Sequence, residues 1–434
     1  LKNFQPEKNL WVFQINQGDV IHKAALFAIA ETVIKNPAAV VVYTDNDHIT
    51  SDGHFIDPFL KPDWNPDLLS GTNYFSSLVV YHVSVWNSIF SDSNNPHELA
   101  IAATNNLTEN QILHIPHILI SIYTNDDSSH RSPPFIKVDH PLPEPLPKVS
   151  ILIPTKNQGK LLRRCVSSLY ELTDYEKIEI IVIDHETSEK NALEFIGSLK
   201  EKKNFLVTEF FGEFNFSAQI NQAADLASGE ILILLNNDTE VIQKDWLKRL
   251  VSQVSRPEVG IVGTMLLFSN ETIQHAGIHP SFDGLMGHGH KHLKGNHGGY
   301  FSRLNVAHEV AAVTGACMAI EKKTWKLLGG LDAESLPVAY NDVDICLKAR
   351  KKGYKVILDP HVKLLHHESA SRGLDKELSQ NPRLKNEIST MRNRWGGFLQ
   401  VDPAYNPNLS FDGGSFELAK KPRIKRSWVY SETK

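Results

Sequence analysis

Asn236-Asn-Asp238 follows an uninterrupted aliphatic run, Ile231–Leu235, and chemistry is first expected there. Apolar runs without alternation suit a parallel strand covered on both faces, and open α/β sheets bind ligands just beyond the carboxyl ends of such strands. Asp238 is therefore a candidate ligand for a metal or a nucleotide, although a cap or Asx turn before residues 243–251 also explains one such Asp. Three further groups occupy comparable places: Asp184 ends the apolar stretch 178–184, Asp342 lies in Tyr340-Asn-Asp-Val-Asp344, and His366 follows Val362-Lys-Leu-Leu365. Asn341 as N-cap, with Asp342 and Asp344 at the positive end of a helix dipole, gives a structural account of the second group. Taken together, the four suit a divalent cation, Mg²⁺ or Mn²⁺, held by hard oxygens against a nucleoside diphosphate, with a separate carboxylate as base.

These residues need strands and helices to position them, and the apolar pattern supplies both. Val149-Ser-Ile-Leu-Ile-Pro154 reads as a strand, and Thr155-Lys-Asn-Gln-Gly159 as a turn into a helix with Leu161, Leu162, Cys165 and Leu169 on one face. The stretch 178–184 is the next strand, and a helix over 216–227 leads through Gly229 into the run at 231. Strands are also expected at 260–268, 313–320, 355–359 and 362–365, a short helix over 322–328, and a helix from 341 that stops before Gly353. The fold class is α/β, with a Rossmann-like, mostly parallel central sheet. Residues 270–305 are rich in Gly and His; His288, His290 and His292 alternate, but glycine between them favours a mobile, substrate-covering loop over a metal site.

At 434 residues the chain exceeds what one core usually organises. Residues 1–127 contain short aliphatic strands and a helical pattern over 22–35, which is a separate α/β unit. Residues 128–148 carry six prolines and read as a linker; 149–410 form the second domain and 411–434 a tail. A formal net charge of −5 gives no electrostatic case for nucleic acid. Cys165, Cys317 and Cys346 are odd in number and far apart, which argues against a disulfide framework or a zinc site and for a reducing, cytoplasmic location. No apolar run approaches the ~20 residues of a membrane span. The basic stretch Lys420-Lys-Pro-Arg-Ile-Lys-Arg426 leaves peripheral contact with an anionic membrane face open beside a solvated tail. A start at Leu1 rather than Met suggests a fragment.

The order and wording of these motifs resemble glycosyltransferase family 2, inverting enzymes of GT-A fold, over about residues 148–418. The matching pieces are Val149-Ser-Ile-Leu-Ile-Pro-Thr-Lys-Asn157, Ile181-Val-Ile-Asp184, Phe214-Asn-Phe-Ser217 with Asn221, Leu234-Leu-Asn-Asn-Asp-Thr239, Val313-Thr-Gly-Ala-Cys317, Asn341-Asp-Val-Asp344 and His366-His-Glu-Ser-Ala-Ser-Arg372. Gln274-His-Ala-Gly277 and Asp402-Pro-Ala-Tyr-Asn-Pro-Asn-Leu409 are similar to a branch acting in bacterial polysaccharide synthesis, including rhamnan-type chains.

The resemblance implies roles. Pro154, Thr155 and Asn157 line the nucleotide with Asp184, and Asn215, Asn221, Asn236 and Asn237 belong to the donor site. Asp238 and His366 hold Mg²⁺ or Mn²⁺, with His367 as rival to His366. Asp342 is the general base, and Gly315 and Ala316 are on the acceptor side. Asn236 and Asn341 stand where the family has acids, so a catalytically weak or inactive scaffold that binds nucleotide sugar or glycan is the alternative to an active transferase. The partners implied are a nucleotide-diphosphate sugar and a glycan or lipid-linked glycan acceptor. A sugar-nucleotide pyrophosphorylase would need a Gly-rich, basic first loop, and Thr155–Gly159 is poor in both. Residues 1–127 resemble the second half of another such domain, with Gln17-Gly-Asp19 and Asn94-Asn-Pro-His-Glu98 where its acids should fall, which implies a catalytically silent half-domain or the remainder of a truncated tandem enzyme.

Overall fold

Every residue of Ile231–Leu235 is buried, and its alternate side chains enter different layers. Leu232 and Leu234 pack in one apolar cluster with Ile220, Ala223 and Val343, whereas Ile231, Ile233 and Leu235 pack in another with Leu162, Leu169 and Trp246. The period of two along a strand thus explains why no polar position interrupts the run: both faces of the sheet are covered. The computed structural model describes residues 10–89, 95–125, 133–281, 285–367, 381–411 and 416–428.

The sheet around this strand has ten strands. Phe205–Phe210, Ile178–His185, Val149–Thr155 and Ile231–Leu235 run parallel to one another. Cys317–Glu321 then pairs antiparallel with both Ile231–Leu235 and Val259–Leu267, and Lys355–His366 continues parallel to the latter. Thr239–Val241 closes that end antiparallel to Lys355–His366, placing Thr239 opposite His366. The sheet is mixed, with its parallel half carrying the loops after 155, 185 and 235. Helices Gly159–Leu172, Lys190–Lys200 and Trp246–Val254 cover one face, and Phe216–Leu226 and Asn341–Lys351 cover the other.

Four local expectations are corrected. The stretch 355–365 is a single strand, Lys355–His366, because Asp359 is buried against the Arg249 guanidinium (3.3 Å) instead of breaking the strand. The strand expected from 313 begins only at Cys317. Asn341 is not an N-cap: it is the first helical residue, and its amide donates to Ser217 Oγ (3.0 Å) and Val338 O (3.2 Å). The described part of 270–305 is packed framework rather than a free cover. His275 Nδ1 meets His288 Nδ1 at 2.8 Å, His290 stacks on Phe416 and His292 on Phe268, so the alternating histidines point to three different partners. Burial pushes the pKa values of His275 and His290 well below the usual histidine range.

The first unit holds a six-stranded sheet whose centre is Val41–Thr50 parallel to Ile112–Thr124. The segment 402–409 joins it to the second unit. Asn406 Nδ2 donates to Asp45 Oδ2 (3.0 Å) and Lys61 O (2.8 Å), Asn408 Nδ2 to Pro116 O (2.8 Å), and Asp63 N to Pro403 O (2.8 Å). Asp67 adds a buried ion pair with Arg256 at 2.5 Å. Burial alone would raise the Asp67 pKa, but the Arg256 and Lys355 charges outweigh it and hold the carboxyl low. In the first unit, Asp19 accepts the Tyr123 and Asn16 amides (3.0 and 3.1 Å) and so serves a turn. Asn94 lies outside the described residues. The cysteines are buried and unpaired with one another. Among the described residues, no helix is long and apolar enough to cross a membrane.

Candidate active site

The carboxyl ends of the parallel strands bring the first group of residues together. Thr155 and Asp184 are register partners. Asn237 Nδ2 donates to Thr155 Oγ1 at 2.8 Å, tying the loop after 235 to the first strand. Asn157 adopts φ +54°, a left-handed conformation that Asn tolerates better than most residues. Its Oδ1 accepts the amides of Ser188 (2.8 Å) and Glu189 (2.9 Å), while its own N–H donates to Thr187 Oγ1 (3.0 Å). Asp184 Oδ1 accepts the Thr187 amide at 3.2 Å. Asn157 and Asp184 thus fix the first two loops as one rim, with Pro154 buried beneath it.

At the other side of Asn237, antiparallel pairing of Thr239 with His366 sets an imidazole beside Asp238. His366 Nε2 lies 3.1 Å from Asp238 Oδ1 and 3.4 Å from Asn236 Nδ2. His366 Nδ1 meets Gln274 Oε1 at 2.5 Å, and the amide group of Gln274 points to His366 O (3.4 Å). That orientation makes Nδ1 a donor, and a deprotonated Nε2 would turn its lone pair toward the Asp238 carboxylate. With Nε2 deprotonated, an imidazole nitrogen and a carboxylate oxygen at this distance would suit a divalent cation. Among the described residues no three His, Cys, Asp or Glu side chains converge. His367 is directed elsewhere: its Nε2 meets Glu240 Oε2 (2.7 Å) and its Nδ1 meets Ser269 Oγ (2.8 Å). Of the two histidines, His366 is the one at Asp238.

Asp342 enters from the helix Asn341–Lys351. Its Oδ2 accepts the Gly315 amide (3.0 Å) and its Oδ1 the Val343 amide (2.8 Å), leaving each oxygen a further lone pair. The next residue, Ala316, accepts the Asn236 amide through its carbonyl (3.0 Å). Gly315-Ala316 therefore links Asp342 to the strand end that carries Asp238. The helix Pro382–Trp395 braces this carboxylate from both sides in sequence. Glu387 Oε1 accepts the amides of Val338 (2.8 Å) and Ala339 (2.9 Å), and buried Asp344 is held by Arg394 and Trp395, both at 2.8 Å.

Two of the expected donor-site residues are bonded to framework backbone. Asn215 caps helix Phe216–Leu226 through the Ala218 amide (2.8 Å) and donates to Ala333 O (2.8 Å). Asn221 both donates to and accepts from the Leu331 backbone (2.8 and 3.0 Å). Their amides are engaged with backbone that a strand-and-helix pattern does not bring near. Sequence reasoning missed the orienting role of Gln274, and its signal was the Gln274-His-Ala-Gly motif already singled out.

The strand ends at 155, 184 and 235, together with Gly315-Ala316, all fall within one recognisable segment. Residues 150–324 match the family model of glycosyl transferase family 2. Asp342 and His366 lie beyond the family 2 match, in the strand and helix that complete the same sheet. The chain is 33% identical over 451 residues to the uncharacterized protein y4gI of Sinorhizobium fredii, covering 95% of this chain and 50% of that protein. It is 30% identical over 446 residues to the O-antigen biosynthesis protein RfbC of Myxococcus xanthus, covering 93% of this chain and 34% of that one. The chain thus spans half or less of these curated relatives. A solved structure of GalNAc-T7 with UDP, GalNAc and Mn²⁺ superposes with a TM-score of 0.48 at 21% identity, covering 59% of this chain and 50% of that one. The second unit is an α/β fold built on a mixed sheet, with the family 2 match inside it.

Proposed function

We propose that residues 149–410 form a metal-dependent, inverting glycosyltransferase that moves a sugar from a nucleotide-diphosphate donor to a hydroxyl of a growing cell-surface glycan. The observation that carries the reading is the 3.1 Å approach of His366 Nε2 to Asp238 Oδ1, with the ring oriented by Gln274 at Nδ1. Asp238 and His366 would hold Mg²⁺ or Mn²⁺, which when bound neutralises charge on the diphosphate leaving group. Thr155, Asn157, Asp184 and Asn237 form the nucleotide rim. Asp342 takes the proton of the acceptor hydroxyl as its oxygen bonds to the anomeric carbon and the bond to the diphosphate breaks; inversion follows from a single displacement. The Gly315 amide holds Asp342 at the acceptor side, so positioning and electrostatics supply most of the acceleration.

A second reading, binding without turnover, is favoured by Asn236, whose neutral amide faces His366 where a second acid would strengthen the metal site. Release of nucleoside diphosphate from a panel of nucleotide sugars with Mn²⁺ and glycan acceptors separates the two. Metal-dependent release with an inverted product linkage supports transfer. Tight donor binding without release from any donor supports the scaffold.

A further inference from the structure

The helix Ala25–Lys35 buries Ala25, Ala28 and Ile29 against the first sheet and leaves its opposite side apolar. Leu26, Phe27 and Ile34 are 64%, 54% and 77% exposed, and exposed Ala30 lies between them. Steps of three, four and seven residues place these four on one stripe of the helix. Isolated exposed apolar side chains are ordinary, but three large ones along successive turns form a continuous patch. Exposed Lys23 begins the stripe and exposed Lys35 borders it, beside Glu31.

The two residues that follow the basic stretch dock at that same border. Ser427 Oγ donates to Glu31 Oε2, and the Trp428 ring packs against His22 (6.1 Å between centroids) and His117 (4.9 Å). Arg423 fixes the other end of the stretch through Leu409 O and the Phe411 ring. Lys420, Lys421, Lys425 and Arg426 remain exposed. On a chain with a formal net charge of −5, exposed Lys23 and Lys35 thus flank the apolar stripe, Lys35 being paired with Glu31 at 2.6 Å, and four exposed cations precede the residues that meet its border.

From this arrangement we propose that the outer face of helix Ala25–Lys35, with the segment 420–428, docks on an anionic lipid surface. The helix lies in the plane of the interface, Leu26, Phe27, Ala30 and Ile34 enter the headgroup boundary, and the flanking lysines and arginine meet lipid phosphates. A second copy of the chain fits less well, since an isologous contact through this stripe would set like charges against one another. The inference stands apart from the proposed transfer reaction, because none of these residues touches the candidate active site.

Co-sedimentation of the whole chain with vesicles tests it, using phosphatidylcholine alone and phosphatidylcholine mixed with phosphatidylglycerol. Binding is expected on the mixed vesicles only, and high salt should remove most of it. Phe27→Glu with Ile34→Glu, and separately Lys420→Glu with Lys421→Glu, should each weaken it at least about fivefold, the scale of one interfacial cation. The melting temperature of both variants should match that of the parent. Equal binding to neutral vesicles, binding to neither, or a dimer in solution that Ile34→Glu converts to monomer would each overturn the proposal.

Discussion

His366 Nε2 faces Asp238 Oδ1 across 3.1 Å while Gln274 Oε1 holds the other ring nitrogen. Partners that fix a ligating imidazole typically contribute 10–100-fold to metal affinity. Gln274→Leu should therefore weaken Mn²⁺ binding by about that range in titration calorimetry, with the fold preserved. Unchanged Mn²⁺ affinity in that variant would remove Gln274 from the site.

Asn406 joins the two units by donating to buried Asp45 and to Lys61 O. Asn406→Ala leaves part of a buried carboxylate without its donor, so it should lower stability by about 2–3 kcal/mol in urea unfolding. Donor affinity per folded molecule should stay the same, because the contact is remote from the nucleotide rim. Asn406→Asp, which sets a second acid beside Asp45, should be worse.

Glu387 is 1% exposed and accepts the two amides just ahead of Asp342's helix. Glu387→Ala should reduce stability by about 2 kcal/mol and let the 338–341 backbone shift. Misplacing a reacting group by about 1 Å can reduce rate about 100-fold. In steady-state kinetics kcat should therefore fall much more than donor KM rises; an effect on KM alone would make Glu387 a purely structural residue.

The acid limb of the stability profile should depend on Glu179, at the opposite end of the strands from the site. Burial raises its pKa, but the hydrogen bonds from Lys148, Ser150 and Ser228 outweigh that and lower it to about 2. Because the folded value lies below the ordinary 4.5, the carboxylate's contribution is present above pH 4.5 and is lost as pH falls from there toward 2. After allowance for solvent screening, Glu179→Gln should cost about 1 kcal/mol at neutral pH. The difference from the parent should vanish toward pH 2 in thermal melts.

Much of the second unit was legible because its strands are covered on both faces. Runs such as Ile231–Leu235 have one conformational explanation, and their polar ends mark the loops that carry Thr155, Asp184 and Asp238. Strand pairing across long sequence separations was not legible: nothing local says that Thr239 lies opposite His366, or that Gln274 reaches His366 Nδ1 from 92 residues away. The backbone partners of Asn215 and Asn221 near 331–333 were not legible for the same reason, since they become neighbours only after the chain folds. The glycine-rich run around His288–His292 suggested mobility, yet aromatic partners as distant as Phe416 pack it in place.

The central claim is that Asp342, held by the Gly315 amide, takes the acceptor's proton. Asp342→Asn preserves the shape of the side chain and one backbone hydrogen-bond acceptor while removing the base. The most direct measurement is single-turnover transfer by this variant, alongside donor binding by calorimetry with Mn²⁺. The account predicts a loss of transfer of at least about 1,000-fold, within the span usual for removing an acid–base group and its charge, with donor affinity within about threefold of the parent. Transfer at the parent rate would contradict it.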